Sequence, residues 1–242
     1  MKLAGISDVG KRRPNNEDNF AFGELEGAAF GIVCDGMGGA EGGEIASKIA
    51  VDTIRKKLEL AYSPKMSAAA IERMLCAAIT AANYEIYSYA QSHDLMGMGT
   101  TVAAAVIKDG CAVIAYDGDS RVYMLAGDIR QLTTDHTFLN ELYKIGQITL
   151  EEMQTDPRKN IITRALGVSE EIDVDIVIED IDAGDVILLC SDGLTNCLTD
   201  AQIMDIYHST AWEDTCDQLR NLANDNGGMD NITAVLMQYE EA

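Results

Sequence analysis

An α+β fold, two antiparallel β-sheets packed face to face and flanked by pairs of helices, is predicted by three features of the sequence. Strand-like runs are joined by short hairpin signals. The helical stretches come in pairs rather than alternating with strands, which argues against a doubly wound α/β fold. Several strand runs are apolar enough to be covered on both faces, as a sheet is when it has a second sheet on one side and helices on the other.

Taken in order, the chain opens with a strand and a loop, followed by the apolar run Phe30-Gly31-Ile32-Val33-Cys34 and a glycine-rich turn. Two long amphipathic helices come next. Ile45, Ala46, Ile49, Ala50, Ile54 and Leu58 form the apolar stripe of the first. Ile71, Leu75, Ala78, Ile79, Ala82 and Ile86 form that of the second, which Ser67 caps. The middle reads as a strand meander. Lys108-Asp109-Gly110 joins runs 101–107 and 111–116, and Gly127-Asp128 joins runs 121–125 and 129–132. Residues 135–167 turn polar and mixed, with a capping box at Thr149 and Glu152. Strands return near 172–178 and 185–190. Two helices follow, the first opened by Thr199 and Gln202, and the strand from Ile232 to Met237 comes last.

With 242 residues, 47% hydrophobic and 24% charged, the chain can bury a core without disulfides or a structural metal. The reading is one domain, 1–242, with a flap subdomain at about 135–167. No apolar run is long enough for a signal peptide or a membrane span, so a cytoplasmic protein is expected. Cysteines 34, 76, 111, 190, 197 and 216 show no Cys-x-x-Cys spacing and read as free thiols. The net charge of −22 argues against nucleic-acid and anionic-membrane partners, and a monomer is expected.

Asp-Gly occurs at 35–36, 109–110, 117–118 and 192–193. Most such dipeptides are turns, and 109–110 reads as nothing more. Asp35 and Asp192 differ, because each follows a strongly apolar strand and so stands at the end of a core strand. Asp230 lies just before the last strand, and Glu17-Asp18 precede Phe20. Carboxylates gathered at strand ends would repel one another unless a cation joined them. Oxygen ligands select Mg²⁺ or Mn²⁺. Only three histidines are present (93, 136 and 208), too few for an imidazole-rich site. Spacing alone leaves open that these acids are unrelated turn and cap residues.

The words around them are more specific. Gly10-Lys11-Arg12-Arg13-Pro14-Asn15-Asn16-Glu17-Asp18, Asp35-Gly36-Met37-Gly38-Gly39, Gly97-Met98-Gly99-Thr100-Thr101, Gly118-Asp119-Ser120-Arg121, Asn160 to Gly167, Ser191-Asp192-Gly193-Leu194 and Asp230-Asn231-Ile232-Thr233 occur in that order. Together they resemble the motif set of bacterial metal-dependent (PPM, type 2C) protein serine/threonine phosphatases, over residues 5 to 237. The resemblance implies a β-sandwich with two Mn²⁺ or Mg²⁺ ions at one end. Asp35 would bridge them and the Gly36 carbonyl would bind one. Asp192 and Asp230 would hold one ion, and Glu17 with Asp18 would hold water on the other. Arg13 would grip the substrate phosphate. Asp119, paired with Asp192, matches a weakly held third ion, although a hairpin turn explains it equally well. The implied reaction is direct attack of a water or hydroxide bridging the ions, without a phosphoenzyme. Some relatives carry a histidine proton donor at the place of Met37 and others at that of Ala40, so here a water is the expected donor. His136 is expected to be structural.

The sequence excludes other phosphatase mechanisms. Cys-x5-Arg is absent, since the residues six beyond each cysteine are Ala40, Ala82, Asp117, Asn196, Ile203 and Leu222. A phosphoaspartyl enzyme wants Asp-x-Asp, but Met37 and Leu194 stand at those places. A non-catalytic phosphoprotein-binding pseudophosphatase would be expected to have lost its carboxylates, which are all here. Expected substrates are phosphorylated proteins, with a cognate Ser/Thr kinase as partner and residues 135–160 governing selectivity.

Overall fold

The computed structural model describes residues 1–38 and 42–240, the side chain of Gln154 excepted. The elements in chain order are β1 (Lys2–Asp8), β2 (Asp18–Leu25), β3 (Ala28–Met37), α1 (Gly42–Ala61), α2 (Ala68–Ser92), β4 (Gly99–Thr100), β5 (Val102–Lys108), β6 (Cys111–Asp117), β7 (Arg121–Leu125) and β8 (Ile129–Gln131). The remainder are α3 (Phe138–Lys144), α4 (Leu150–Thr155), β9 (Asp175–Asp180), β10 (Val186–Cys190), α5 (Asp192–Thr195), α6 (Asp200–Ser209), α7 (Trp212–Asp225) and β11 (Ile232–Gln238). Ala40 lies outside the described residues.

The strands form two antiparallel sheets, ordered β1-β11-β10-β7-β8 and β2-β3-β5-β6-β9, with β4 added to the end of β3. Alternation along each central strand decides which layer a side chain enters. Ile32, Ala104 and Val106 face α1 and α2, whereas Val33, Ala105 and Ile107 meet Leu189 and Val235 of the facing sheet. Leu188, Leu236 and Ala234 turn outward onto α6 and α7. Three apolar layers result, and the small side chains Ala103, Ala104, Ala105, Ala112 and Ala115 let backbones and helices approach closely. The α+β sandwich with outer helix pairs is therefore present.

The helices form where the apolar stripes require. Ala46, Ala50, Ile54 and Leu58 of α1 are buried, and all six stripe residues of α2 are too. Ser67 accepts the Ala70 N–H at the start of α2, and both predicted capping boxes, at Thr149 and Thr199, are formed. Asp109 (φ 50°) and Gly110 (φ 72°) make the tight β5–β6 turn in the left-handed region, where both residue types are tolerated. All six cysteines are free. Among the described residues no helix is long and apolar enough to cross a membrane.

Three local expectations need correction. The stretch after β1, read as a loop, contains β2, whose mixed polarity reflects an edge strand that is only partly buried. The predicted meander is not continuous: β6 pairs with β5 and β9, while β7 pairs with β10 and β8. The chain crosses from one sheet to the other at residues 118–120, so the turn carrying Asp119 is not a hairpin. Gly118, at φ 109°, makes that change of direction. The short helices α3 and α5 are additions to the expected set, each too brief to show an apolar period in the sequence.

Leu189 is fully buried between the sheets, whereas Leu60 on α1 is 77% exposed. We expect Leu189→Ala to lower unfolding free energy in urea by about 2–5 kcal/mol, and Leu60→Ala to stay within about 0.5 kcal/mol of wild type.

Candidate active site

Antiparallel pairing gathers the acidic residues at one end of the sandwich. The start of β2 lies against the end of β3, so Asp18 is the register partner of Asp35. The end of β10 runs beside the start of β11, which brings Asp192 and Asp230 together. The β6–β7 crossover delivers Asp119 to the same place. A cavity of about 460 Å³ opens there, lined by Arg13, Glu17, Asp35, Asp119, Asp192 and Asp230, with Gly36 and Met37 also on its wall. Asn160 and Ile162 complete the wall from the 135–167 segment. Asp18 stands apart from that lining, buried, with the Ser191 hydroxyl donating to its Oδ2 at 2.7 Å.

Close backbone packing holds these groups in place. A Cβ on Gly36 would stand 2.1 Å from the Gly43 carbonyl oxygen, and one on Gly193 would stand 1.9 Å from that of Asn231. The glycines of the Asp-Gly pairs thus let α1 and β11 approach the two strand ends. Thr101 grips Asp35 twice: its hydroxyl accepts the Asp35 N–H at 3.0 Å and its own N–H donates to the Asp35 carbonyl at 2.9 Å. Asn231 clamps the N-terminal loop. Its Oδ1 accepts the Glu17 N–H at 2.9 Å, and its Nδ2 donates to the carbonyls of Val9 at 3.0 Å and Asn15 at 2.9 Å.

Thr101, Asn231 and Ser191 are visible in the sequence only as members of motifs. No local signal assigns them a role, because their partners lie between 19 and 222 positions away. Asn160 and Ile162 escape sequence reasoning in the same way.

Like charges and burial act in one direction on the acids. Burial, reinforced by Asp18, Asp192, Asp119 and Asp230, pushes the Asp35 carboxyl well above the ordinary range. Burial followed by repulsion from Asp192 raises Asp119 to about 7. Asp18 is raised to about 7 by burial, against the Ser191 hydrogen bond, and Asp192 to about 6 by burial and Asp230. Among the described residues Arg13 is the one guanidinium on the cavity wall, and it donates to Asp230 Oδ2 at 2.7 Å.

This acidic cavity sits in a chain with close relatives of known kind. The family model described as Protein phosphatase 2C matches residues 10–237. This chain belongs to the protein phosphatase 2C family. It is 41% identical over 236 residues to the serine/threonine phosphatase stp of Listeria innocua, covering 96% of this chain and 93% of that one. The S. agalactiae serine/threonine phosphatase superposes with a TM-score of 0.91 at 36% identity, covering 99% of both chains. The catalytic domain of the phosphatase PstP, solved in complex with two manganese ions, superposes with a TM-score of 0.84 at 33% identity, over 99% of this chain and 98% of that one.

The donor set of this phosphatase 2C domain fits divalent cations. It is all oxygen, it carries an excess of negative charge, and Asp18 Oδ1 is buried without a partner. Among the described residues no three His, Cys, Asp or Glu side chains stand close enough together to hold an ion as they are placed.

The raised carboxyls fix a sign. Their folded pKa values exceed the ordinary 3.8, so these groups bind protons more readily in the metal-free fold than in the unfolded chain, and their contribution to stability falls as pH rises from about 4 through about 7. We expect metal-free protein to melt lower at pH 8 than at pH 5.5, and Asp18→Asn to flatten that dependence. An unchanged slope in the variant would show that Asp18 does not carry it.

Proposed function

We propose that this chain is a metal-dependent phosphatase that hydrolyses phosphoserine and phosphothreonine in proteins by direct attack of water on phosphorus. The reading rests on one observation above all: Arg13 and the carboxylates of Glu17, Asp35, Asp119, Asp192 and Asp230, drawn from five separate motifs, line a single cavity. A pseudophosphatase that only binds phosphoproteins has nothing in its favour, because no acidic position of the set has been lost.

Two Mn²⁺ or Mg²⁺ ions would be held by Asp35, the Gly36 carbonyl and Asp192 with Asp230, and Glu17 with Asp18 would hold water on one of them. Asp119 with Asp192 would take a weaker third. When bound, such ions lower the pKa of water and offset phosphate charge. Arg13 spends one nitrogen on Asp230, and its planar fork leaves other N–H donors for phosphate oxygens. Asp230 thereby orients the guanidinium toward the cavity. Met37 and Ile162 supply apolar wall beside the place of the phosphoryl group. No histidine lines the cavity among the described residues, so a water is the natural proton source for the departing seryl or threonyl oxygen.

Residues 135–167 act as a flap within a single domain and bring Asn160 and Ile162 to the substrate. Substrates are proteins phosphorylated by a cognate Ser/Thr kinase, the kinase itself included, acted on in the cytoplasm by a monomeric enzyme.

Phosphate release from a phosphothreonine peptide tests this reading. Activity should disappear with chelator, return with Mn²⁺, and survive alkylation of accessible thiols; Asp192→Asn should abolish it. Chelator-resistant turnover would overturn the metal assignment. Arg13→Ala should lower kcat/KM by roughly ten- to thousand-fold, with both KM and kcat affected. A wild-type kcat/KM in that variant would remove Arg13 from the phosphate site.

A further inference from the structure

Behind the cavity, His136 is 2% exposed and sits at the base of the 135–167 segment. It makes a reciprocal clasp with the crossover that carries Asp119. The His136 backbone N–H donates to the Gly118 carbonyl at 2.9 Å, and the Gly118 N–H donates to His136 Nδ1 at 3.0 Å. In this arrangement Nδ1 accepts from Gly118, with Asp117 Oδ1 also 3.2 Å from it, while Nε2 stands 3.0 Å from Asp175 Oδ2 and 3.2 Å from Arg164 Nη1. The ring stacks on Tyr116 with centroids 5.3 Å apart. Its own carbonyl accepts the Thr163 N–H at 2.8 Å, which ties the end of the segment to its start. Arg164, from the same end, sets its Nε 2.8 Å from Asp117 Oδ1 and its Nη1 3.3 Å from Asp175 Oδ1.

The crossover is gripped on its other side as well. A Cβ on Gly118 would lie 2.6 Å from Thr101 Cγ2, and the Thr101 hydroxyl lies 2.7 Å from that of Ser120. Thr101 is the residue that holds Asp35. Asp119 thus projects from a four-residue span, 117–120, fixed to the Asp35 strand through Thr101 and to the flap base through His136.

We propose that His136 is a positioning residue for Asp119: its Nδ1–Gly118 clasp sets the Asp119 carboxylate against Asp192 and links that placement to the 135–167 segment. The inference rests on the proposed role of Asp119 for its functional consequence, but the clasp itself is independent of that role. A residue that only filled space would need shape, not an acceptor at Nδ1.

Asparagine and glutamine separate the two ideas. His136→Asn would place an amide oxygen where Nδ1 stands, whereas the longer side chain of His136→Gln carries its amide toward the place of Nε2 and leaves the Gly118 N–H bare. Hydrogen exchange at the Gly118 amide, followed by NMR on metal-free protein, is the first measurement. Mn²⁺ binding counted by equilibrium dialysis is the second. His136→Asn should keep wild-type Gly118 protection and weak-ion affinity. His136→Gln should speed Gly118 exchange and loosen the weakest ion by roughly ten- to hundred-fold, leaving the tighter ions in place. Phosphopeptide turnover should fall more than p-nitrophenyl phosphate turnover, whose phenolate leaves without a proton. Identical Gly118 exchange in the two variants would overturn the proposal. If wild type binds only two ions, the third-ion role of Asp119 fails, and the exchange data still decide the clasp. Should neither variant fold, the wild-type imidazole ¹⁵N spectrum decides it: a proton on Nε2 agrees, and a proton on Nδ1 refutes the clasp.

Discussion

Five carboxylates around one cavity repel one another, and with Asp18 buried close to Asp192 and Asp230 they form a concentration of negative charge that a fold would ordinarily disperse. The rest of the architecture can be understood as what stops that dispersal. Each acid hangs from the end of a strand or from a crossover locked into the sandwich, and the strands behind them, β3, β6, β10 and β11, are almost wholly buried. The apolar layers hold the backbone, and the backbone holds the charges together. The cost appears as raised carboxyl pKa values, caused by burial and by the neighbouring carboxylates.

Short polar contacts between distant segments convert that rigid frame into a positioned site. Asn231 joins the last strand to the N-terminal loop, Ser191 joins Asp18 to the backbone of Thr233, and Thr101 joins Asp35 to the Asp119 crossover. All three are 4% exposed or less, so their hydrogen bonds are shielded from water and costly to leave unmade. Arg13 differs. It is exposed and free to pair with a ligand, yet Asp230 restrains where its guanidinium points.

The 135–167 segment has a different character. Its helices α3 and α4 are short, and Tyr143, Ile145, Leu150 and Ile161 leave apolar surface in water. It is anchored at its two ends, through the Thr137–Ile162 bridge and the Thr100–Leu166 bridge. Ile162 belongs to that fixed base and Asn160 lies just before it, so both reach the cavity wall from the anchored part of the segment. His136 lies at that base, bonded to Thr163 at the far end of the segment and to Gly118 of the crossover.

By itself the sequence determined the helix pairs, most of the strands, the capping boxes and the tight turn at 109–110. These depend on residues close together in the chain, where periodicity and turn chemistry act directly. The acidic set was legible too, but only because its members sit inside recognisable words; as isolated Asp-Gly pairs, 35–36 and 109–110 look alike. Tertiary structure alone decided that β6 and β7 belong to different sheets, that Asp18 lies apart from the cavity lining, and that Asn231, Ser191 and Thr101 bond to Glu17, Asp18 and Asp35. The reason is physical. A local pattern records which face of an element is apolar, whereas a hydrogen bond between residues more than two hundred positions apart exists only once two sheets have packed and brought their ends together.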